Sequence, residues 1–141
     1  KMFCYKLNIY NPHESPWEGS RICLKKNLKS IDFLRQKILK KNILYPFWRI
    51  DKEKSIQLIE NGGWHFNYLS EPEKISKKLK TFAHTEYNKD EFTKIDMIKM
   101  NINNMRDLFN KGYKYHKVKL DNTFPEYILN NQSKFTQWIE K

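Results

Sequence analysis

Alanine and valine are almost missing from this sequence, one of each in 141 residues, and there are only four glycines and four arginines. So few glycines leave no Gly-x-Gly-x-x-Gly or Walker A run, which excludes both standard local phosphate-cradling loops. Two cysteines, Cys4 and Cys23, make no disulfide framework, and a chain of this length needs none, so both are read as free thiols. No apolar run approaches the roughly 18 residues of a membrane span, and the opening Lys-Met-Phe-Cys-Tyr has no signal-peptide layout. Four histidines, His13, His65, His84 and His116, show no His-x-x-x-His spacing and there is no Cys-x-x-Cys, so a self-contained zinc site is not expected. A serine nucleophile elbow is also missing.

What is present is the composition of one soluble domain spanning residues 1–141, with 39% hydrophobic, 15% aromatic and 30% charged residues. The net charge of +11 raises the question of an anionic partner. Its make-up weakens that inference, because 23 of the 27 cations are Lys, beside 14 Asn and 14 Ile. A genome poor in G and C produces that pattern whatever the function, and it points to a microbial or viral source.

Phe3, Tyr5, Leu7 and Ile9 alternate with Cys4, Lys6 and Asn8, predicting a half-buried strand over 2–10, with a helix as the alternative. Asn11 to Pro16 reads as a loop, and the second half of Trp17 to Leu24 as a short strand. A helix is expected from Ser30 as N-cap, with Asp32 in its first turn and Leu34 and Ile38 inward. Tyr45 to Ile50 is β-prone but holds Pro46, which predicts an edge strand or extended segment. Residues 55–59 read as extended, Gly62-Gly63 as a break, and Trp64 to Leu69 as a strand. Ser70-Glu71-Pro72-Glu73 is a capping box with Pro in the first turn, followed by Ile75, Leu79, Phe82 and Ala83 on one face, which predicts a helix over 71–83. A second helix is expected over 90–100, with Phe92, Ile95, Ile98 and then Ile102 toward the core, and a short turn at 104–109. Lys114 to Lys119 alternates as a strand, and Phe124-Pro125 opens a last helix with Ile128, Phe135 and Ile139 inward. Strands mixed with helices in this order give an α/β class.

Two stretches could carry chemistry. In Glu60-Asn61-Gly62-Gly63-Trp64-His65-Phe66, paired glycines let a ligand approach the backbone, Trp64 supplies a flat face of the kind sugar rings stack on, and His65 offers a donor or metal ligand. The plainer account is a Gly-Gly turn, a core Trp64 and a surface His65. In Phe82-Ala83-His84-Thr85-Glu86, His84 and Glu86 close the predicted helix 71–83, where a His also serves simply as a C-terminal cap.

At these residues the chain resembles the family-17 glycosyltransferases, whose animal members are β-1,4-mannosyl-glycoprotein 4-β-N-acetylglucosaminyltransferases. The stretches that carry the resemblance are Trp17-Glu18-Gly19-Ser20-Arg21, Gly62 to Leu69, Ile75 to Lys80, Phe82 to Asn88, Asp107-Leu108-Phe109 and Phe124 to Ile128, covering nearly the whole chain. The Gly-Trp-His stretch, one helix ahead of Phe-Ala-His-x-Glu, is the most specific. The resemblance implies a GT-A-like mixed sheet with flanking helices and transfer of N-acetylglucosamine from UDP-N-acetylglucosamine to a glycan acceptor with inversion. It also implies a divalent metal, commonly Mn²⁺, which neutralises charge on the leaving diphosphate while a carboxylate takes the proton of the attacking hydroxyl.

An Asp-x-Asp donor motif is expected upstream of the Gly-Trp-His stretch. The one acid-x-acid spacing before residue 60, Asp51-Lys52-Glu53, sits in a Lys-rich setting unsuited to a metal. The chain is therefore expected to be the C-terminal, acceptor-side portion of such a transferase. Carried over by position, Trp64 stacks on the acceptor, Gly62 and Gly63 admit it, His65 hydrogen-bonds sugar or phosphate, and Trp17 and Arg21 line the same cleft. His84 is the implied metal ligand, and Glu60 and then Glu86 are the implied general bases. The setting expected is cytoplasmic or peripheral to a membrane, with the Lys-rich surface compatible with anionic lipid, and the Golgi only behind an upstream anchor. Two other classes stay open. One is a basic nucleic-acid-binding module, on Tyr113, Tyr115 and His116 among Lys111, Lys114, Lys117 and Lys119, although Arg, the usual base reader, is scarce. The other is a non-catalytic glycan-binding domain.

Overall fold

The opening alternation folds back on itself instead of running straight. The computed structural model describes residues 1–15, 17, 19–31, 34, 43–50, 57, 59–81 and 85–141. In it β1 (Met2–Cys4) and β2 (Ile9–Tyr10) form an antiparallel hairpin with Phe3 opposite Tyr10. The single strand predicted over 2–10 is corrected accordingly. Tyr5 turns the chain at φ 67°, a left-handed conformation that side chains disfavour, and its hydroxyl is held by donating to the Arg106 carbonyl at 2.6 Å. Met2, Phe3, Cys4, Tyr5, Leu7, Asn8 and Ile9 are all buried. Alternation here separates two covered faces, not core from solvent.

β3 (His65–Asn67) runs parallel to β1, pairing Met2 with His65, Phe3 with Phe66 and Cys4 with Asn67. β4 (His116–Lys117) lies antiparallel to β2, giving the order β3-β1-β2-β4. Because successive residues point to opposite sides, Met2 and Cys4 join the core made with Ile75, Leu79, Ile98 and Leu108. Phe3 meets the rings of Tyr10, Phe66 and Phe124 at 5.7, 5.6 and 5.1 Å. A small mixed sheet with flanking helices is an α/β arrangement, as the order of elements predicts.

Helix α1 (Pro72–Thr81) starts where the capping box places it and buries Ile75, Ser76 and Leu79; Phe82 and Ala83 lie outside the described residues. The single helix predicted over 90–100 is instead α2 (Asp90–Thr93) and α3 (Ile95–Asn103), broken at Lys94, whose ψ of 129° is extended. The break lets Phe92 and Ile98 both reach the core while Ile95 stays exposed at 37%. The last helix is also divided, into α4 (Glu126–Asn130) and a 3₁₀ helix over Gln132–Trp138, because Asn131 leaves helical geometry at φ −128° and ψ 31°. Ile128 is buried, and Phe135 and Ile139 only half-buried.

The segment after this 3₁₀ helix is fastened to the hairpin turn. Leu7 N–H donates to the Trp138 carbonyl at 2.7 Å, and the buried Asn8 amide both donates to the Glu140 carbonyl (2.9 Å) and accepts from its N–H (2.8 Å). Lys6 Nζ donates to the Gln137 carbonyl.

These elements belong to one compact unit, Lys1–Trp17 with Gly63–Lys141; Glu18–Gly62 forms a second. Within the second, no strand forms at 22–24, where Ile22 and Leu24 are exposed, and a 3₁₀ turn follows at Lys25–Asn27. The strand or extended segment predicted at 45–50 is a turn, with Arg49 N–H donating to the Pro46 carbonyl at 3.1 Å; Pro46 has no N–H to offer a ladder. Leu34 N–H donates to the Ser30 carbonyl at 3.1 Å, the bond of a first helical turn, whereas Asp32 and Ile38 lie outside the described residues. So do 55, 56 and 58 of the segment expected to be extended.

Candidate functional site

The loop after β2 is a self-capped turn. Asn11 Oδ1 accepts from the N–H groups of His13 (3.0 Å) and Glu14 (3.2 Å), the Asx-turn geometry that an Asn supplies. Ser15 Oγ donates to the Asn11 carbonyl at 2.8 Å and accepts from Met2 N–H at 3.0 Å, which ties the loop to the start of β1. The loop delivers Trp17 onto His65 of β3, with ring centroids 3.9 Å apart and planes 26° from parallel. Trp17 remains 44% exposed.

Trp64 does not join this pair. Adjacent residues of an extended chain point to opposite faces, and Trp64 Nε1 donates to the Thr123 carbonyl at 3.0 Å, beside the Phe124 that packs on Phe3. His65 and Trp64 therefore serve different surfaces of the sheet.

The two glycines also differ in role. Asn61 sits at φ 54°, and a Cβ on Gly62 would come within 3.2 Å of Ile59, so Gly62 accommodates its own preceding turn. A Cβ on Gly63 would meet nothing within 4 Å. In the unit formed by Glu18–Gly62, Arg21 Nη1 donates to the Leu34 carbonyl at 3.0 Å, and Glu60 belongs to the same unit. Glu86 is exposed in a 3₁₀ turn over Thr85–Tyr87, whose Tyr87 ring packs on Phe109 at 4.2 Å. His84 lies outside the described residues.

Glu14 is the residue the sequence reading passed over, as one acid in a turn. Its Oε2 accepts from Asn11 Nδ2 at 3.5 Å, its Oε1 lies 3.6 Å from Lys111 Nζ, and its side chain is 37% exposed. Its charge acts on His65, Cys4, Tyr68 and Tyr115. The signal that could have found it is Asn11 three residues ahead, since an Asn-capped turn fixes the direction of the side chain at its end.

Burial pushes the Cys4 thiol up to about 12 and the Tyr68 phenol up to about 12, and it raises Tyr5 and Tyr115 as well. None of these groups ionises near neutrality, and Cys4 is an inert core thiol; Cys23 is likewise free and is exposed. For His65, burial first and then the nearby Lys78 ammonium hold the imidazole below its ordinary 6.5, against the opposing pull of Glu14. The neutral ring offers an acceptor nitrogen to a hydroxyl.

A lowered folded value means that the unfolded chain takes up the proton first as pH falls. The contribution of His65 to stability is thus complete above about 6.5 and is lost as pH drops through the folded value. An NMR pH titration should place the His65 midpoint below that of an unfolded-state histidine, and His65→Gln should remove this part of the pH slope. A midpoint at or above 6.5 would contradict the account.

Among the described residues no three His, Cys, Asp or Glu converge in a way that could hold a metal. They do not make up the divalent-metal shell that the resemblance implies, and no step below passes through one. No helix among them is long and apolar enough to cross a membrane. The aromatics of the basic stretch are engaged: Tyr113 stacks on His13 at 4.4 Å, Tyr115 meets Tyr5 at 5.7 Å and His116 meets Tyr10 at 6.0 Å. In comparisons with known proteins, no family model, no curated protein and no solved structure matches this chain.

Proposed function

We propose that this chain carries the acceptor side of a GT-A-like glycosyltransferase that moves N-acetylglucosamine from UDP-N-acetylglucosamine to a glycan, with inversion. The observation that supports this reading best is the Trp17–His65 stack. Trp17 comes from the Trp-x-Gly-Ser-Arg stretch and His65 from the Gly-Trp-His stretch, two distant pieces that the family resemblance singles out independently, and they meet in space. A part-exposed indole stacked on a neutral imidazole, in the loop that also carries the Glu14 carboxylate, is a platform for a sugar ring and its hydroxyls.

In this reading Trp17 stacks on the acceptor sugar, His65 accepts from one of its hydroxyls, and Glu14 takes the proton of the attacking hydroxyl. Glu14 replaces Glu60 and Glu86 in that role because the loop that holds it also delivers Trp17 onto His65. The divalent metal stays in the proposal through His84 alone. Lys78, whose ammonium lies 4.8 Å over the Tyr68 ring, adds positive charge on the same face.

The test is transfer from UDP-N-acetylglucosamine in the presence of Mn²⁺ to a panel of glycan acceptors, β-mannosides included. Product should form, and Trp17→Ala should raise the acceptor KM about tenfold, the effect of losing one stacking face. Acceptor binding without transfer would support a non-catalytic glycan-binding domain instead. Neither transfer nor binding, together with a steeply salt-dependent shift of single-stranded RNA, would sink the reading in favour of a nucleic-acid module.

A further inference from the structure

Both parallel strands end on the same side of the sheet, β1 running into Tyr5 and Lys6 and β3 into Ser70 and Glu71. Open α/β sheets take their ligands outside the carboxyl ends of such strands. A cavity of about 430 Å³ lies there, walled by Tyr5, Lys6, Glu71, Asn103, Trp138 and Glu140 among others. That volume falls within the roughly 300–1,000 Å³ of small-molecule sites. Trp17, Trp64, His65 and Glu14 take no part in it.

The wall is built in advance. Residues 137–140 are fixed by the bonds from Lys6, Leu7 and Asn8 described above, including the two-way bond between the Asn8 amide and the Glu140 backbone. Tyr5 has its hydroxyl committed to the Arg106 carbonyl, so it offers the cavity a ring. Lys6 has its ammonium on the Gln137 carbonyl. The carboxylates of Glu71 and Glu140, in contrast, take no hydrogen bond or ion pair among the described residues.

Charge then selects the ligand. In a chain of net charge +11, a cavity lined by two acidic residues whose carboxylates are unpartnered among the described residues disfavours phosphates and nucleotides. The Lys6 ammonium in the same wall opposes an organic cation. A neutral molecule rich in hydroxyls suits both, since its O–H groups donate charge-assisted bonds to the carboxylates. Asn103, whose amide can both donate and accept, and the half-buried Trp138 line it as well. We infer that this cavity binds a single neutral saccharide ring at a site separate from the Trp17–His65 platform. The inference does not depend on sugar transfer, because binding alone is required.

The four tryptophans give each site its own reporter. The full chain, labelled with ¹⁵N, is titrated with N-acetylglucosamine and separately with choline, and the indole N–H resonances are assigned through Trp→Phe variants. The Trp138 resonance should move saturably with the sugar and stay still with choline. Glu71→Ala removes an exposed side chain, and Glu140→Gln leaves the backbone bonds to Asn8 in place. Each should weaken the Trp138 response about tenfold, the loss of one bond to a charged group, while the Trp17 response is unchanged. A Trp138 resonance that does not move, that answers choline in place of the sugar, or that is insensitive to both variants overturns the site. A response confined to Trp17 overturns it while leaving the proposed acceptor platform standing.

Discussion

Asp107→Ala is expected to destabilise the protein by about 3–4 kcal/mol, enough to approach the limit of what single substitutions do. Asp107 is buried at 4% exposure, and its carboxylate accepts from three backbone N–H groups: Phe109 at 2.8 Å, Lys111 at 2.9 Å and Tyr113 at 3.0 Å. Bonds to a charged acceptor are the strong ones, and the N–H groups left behind would lose their partners inside the fold. The loop turns through left-handed backbone at Asn110 (φ 55°) and Gly112 (φ 76°), and besides the carboxylate it is closed by Asp107 N–H on the Tyr113 carbonyl at 3.2 Å. Asp107→Asn keeps one acceptor oxygen and should fall between wild type and alanine. Asp121→Ala, which removes bonds to Thr123 in an exposed turn, should cost far less. Urea unfolding of the three variants checks the order, and a loss under about 1 kcal/mol for Asp107→Ala would show that water replaces the carboxylate. The effect reaches function, because the same loop carries Lys111 to Glu14 and Phe109 to the rings of Tyr68, Tyr87 and Phe92.

Glu14→Gln should lower kcat for sugar transfer about 10²–10⁴-fold, the usual worth of a general base, with acceptor binding and unfolding midpoint nearly unchanged. Gln keeps the shape and an oxygen for Asn11 but cannot take a proton. Its ion pair with Lys111 is more than a third exposed on both sides, so losing it costs little. Glu60→Gln and Glu86→Gln should leave kcat alone. If either of those abolishes transfer while Glu14→Gln does not, the base has been misplaced; if wild type shows no transfer with any acceptor, the fault lies with the transferase reading itself.

The parts of the fold written in short-range chemistry were legible in the sequence. Ser70-Glu71-Pro72-Glu73 announced α1, and the alternation at 64–69 and 114–119 announced β3 and β4. What was not legible depended on distant partners. Phe3, Tyr5, Leu7 and Ile9 alternate as a strand would, but the chain turns at Tyr5 because Arg106 holds its hydroxyl and residues 138–140 cover the turn. The breaks at Lys94 and Asn131 follow no proline or glycine; the helices stop where the core needs a change of direction. At the candidate site, Trp17 and His65 were both named from sequence, whereas Trp64 was assigned to the same surface by adjacency although strand geometry sends it to the other. Glu14 was missed because a carboxylate in a turn carries no spacing signal of its own.

The two-way bond between Asn8 and Glu140 also bears on how the protein comes to exist. Its partners are 132 positions apart, and the β1–β2 hairpin buries a polar amide that is satisfied by the Glu140 backbone and, at 3.4 Å, by the Val118 carbonyl. During synthesis that hairpin leaves the ribosome well ahead of residues 118–140, and its amide and the Leu7 N–H stay in water until those have followed. Contacts this remote are paid in loop entropy before they return anything, which slows folding. The seam between the β1–β2 turn and residues 137–140 is thus slow to close, and residues from both sides of it, Lys6, Trp138 and Glu140, wall the cavity at the strand ends.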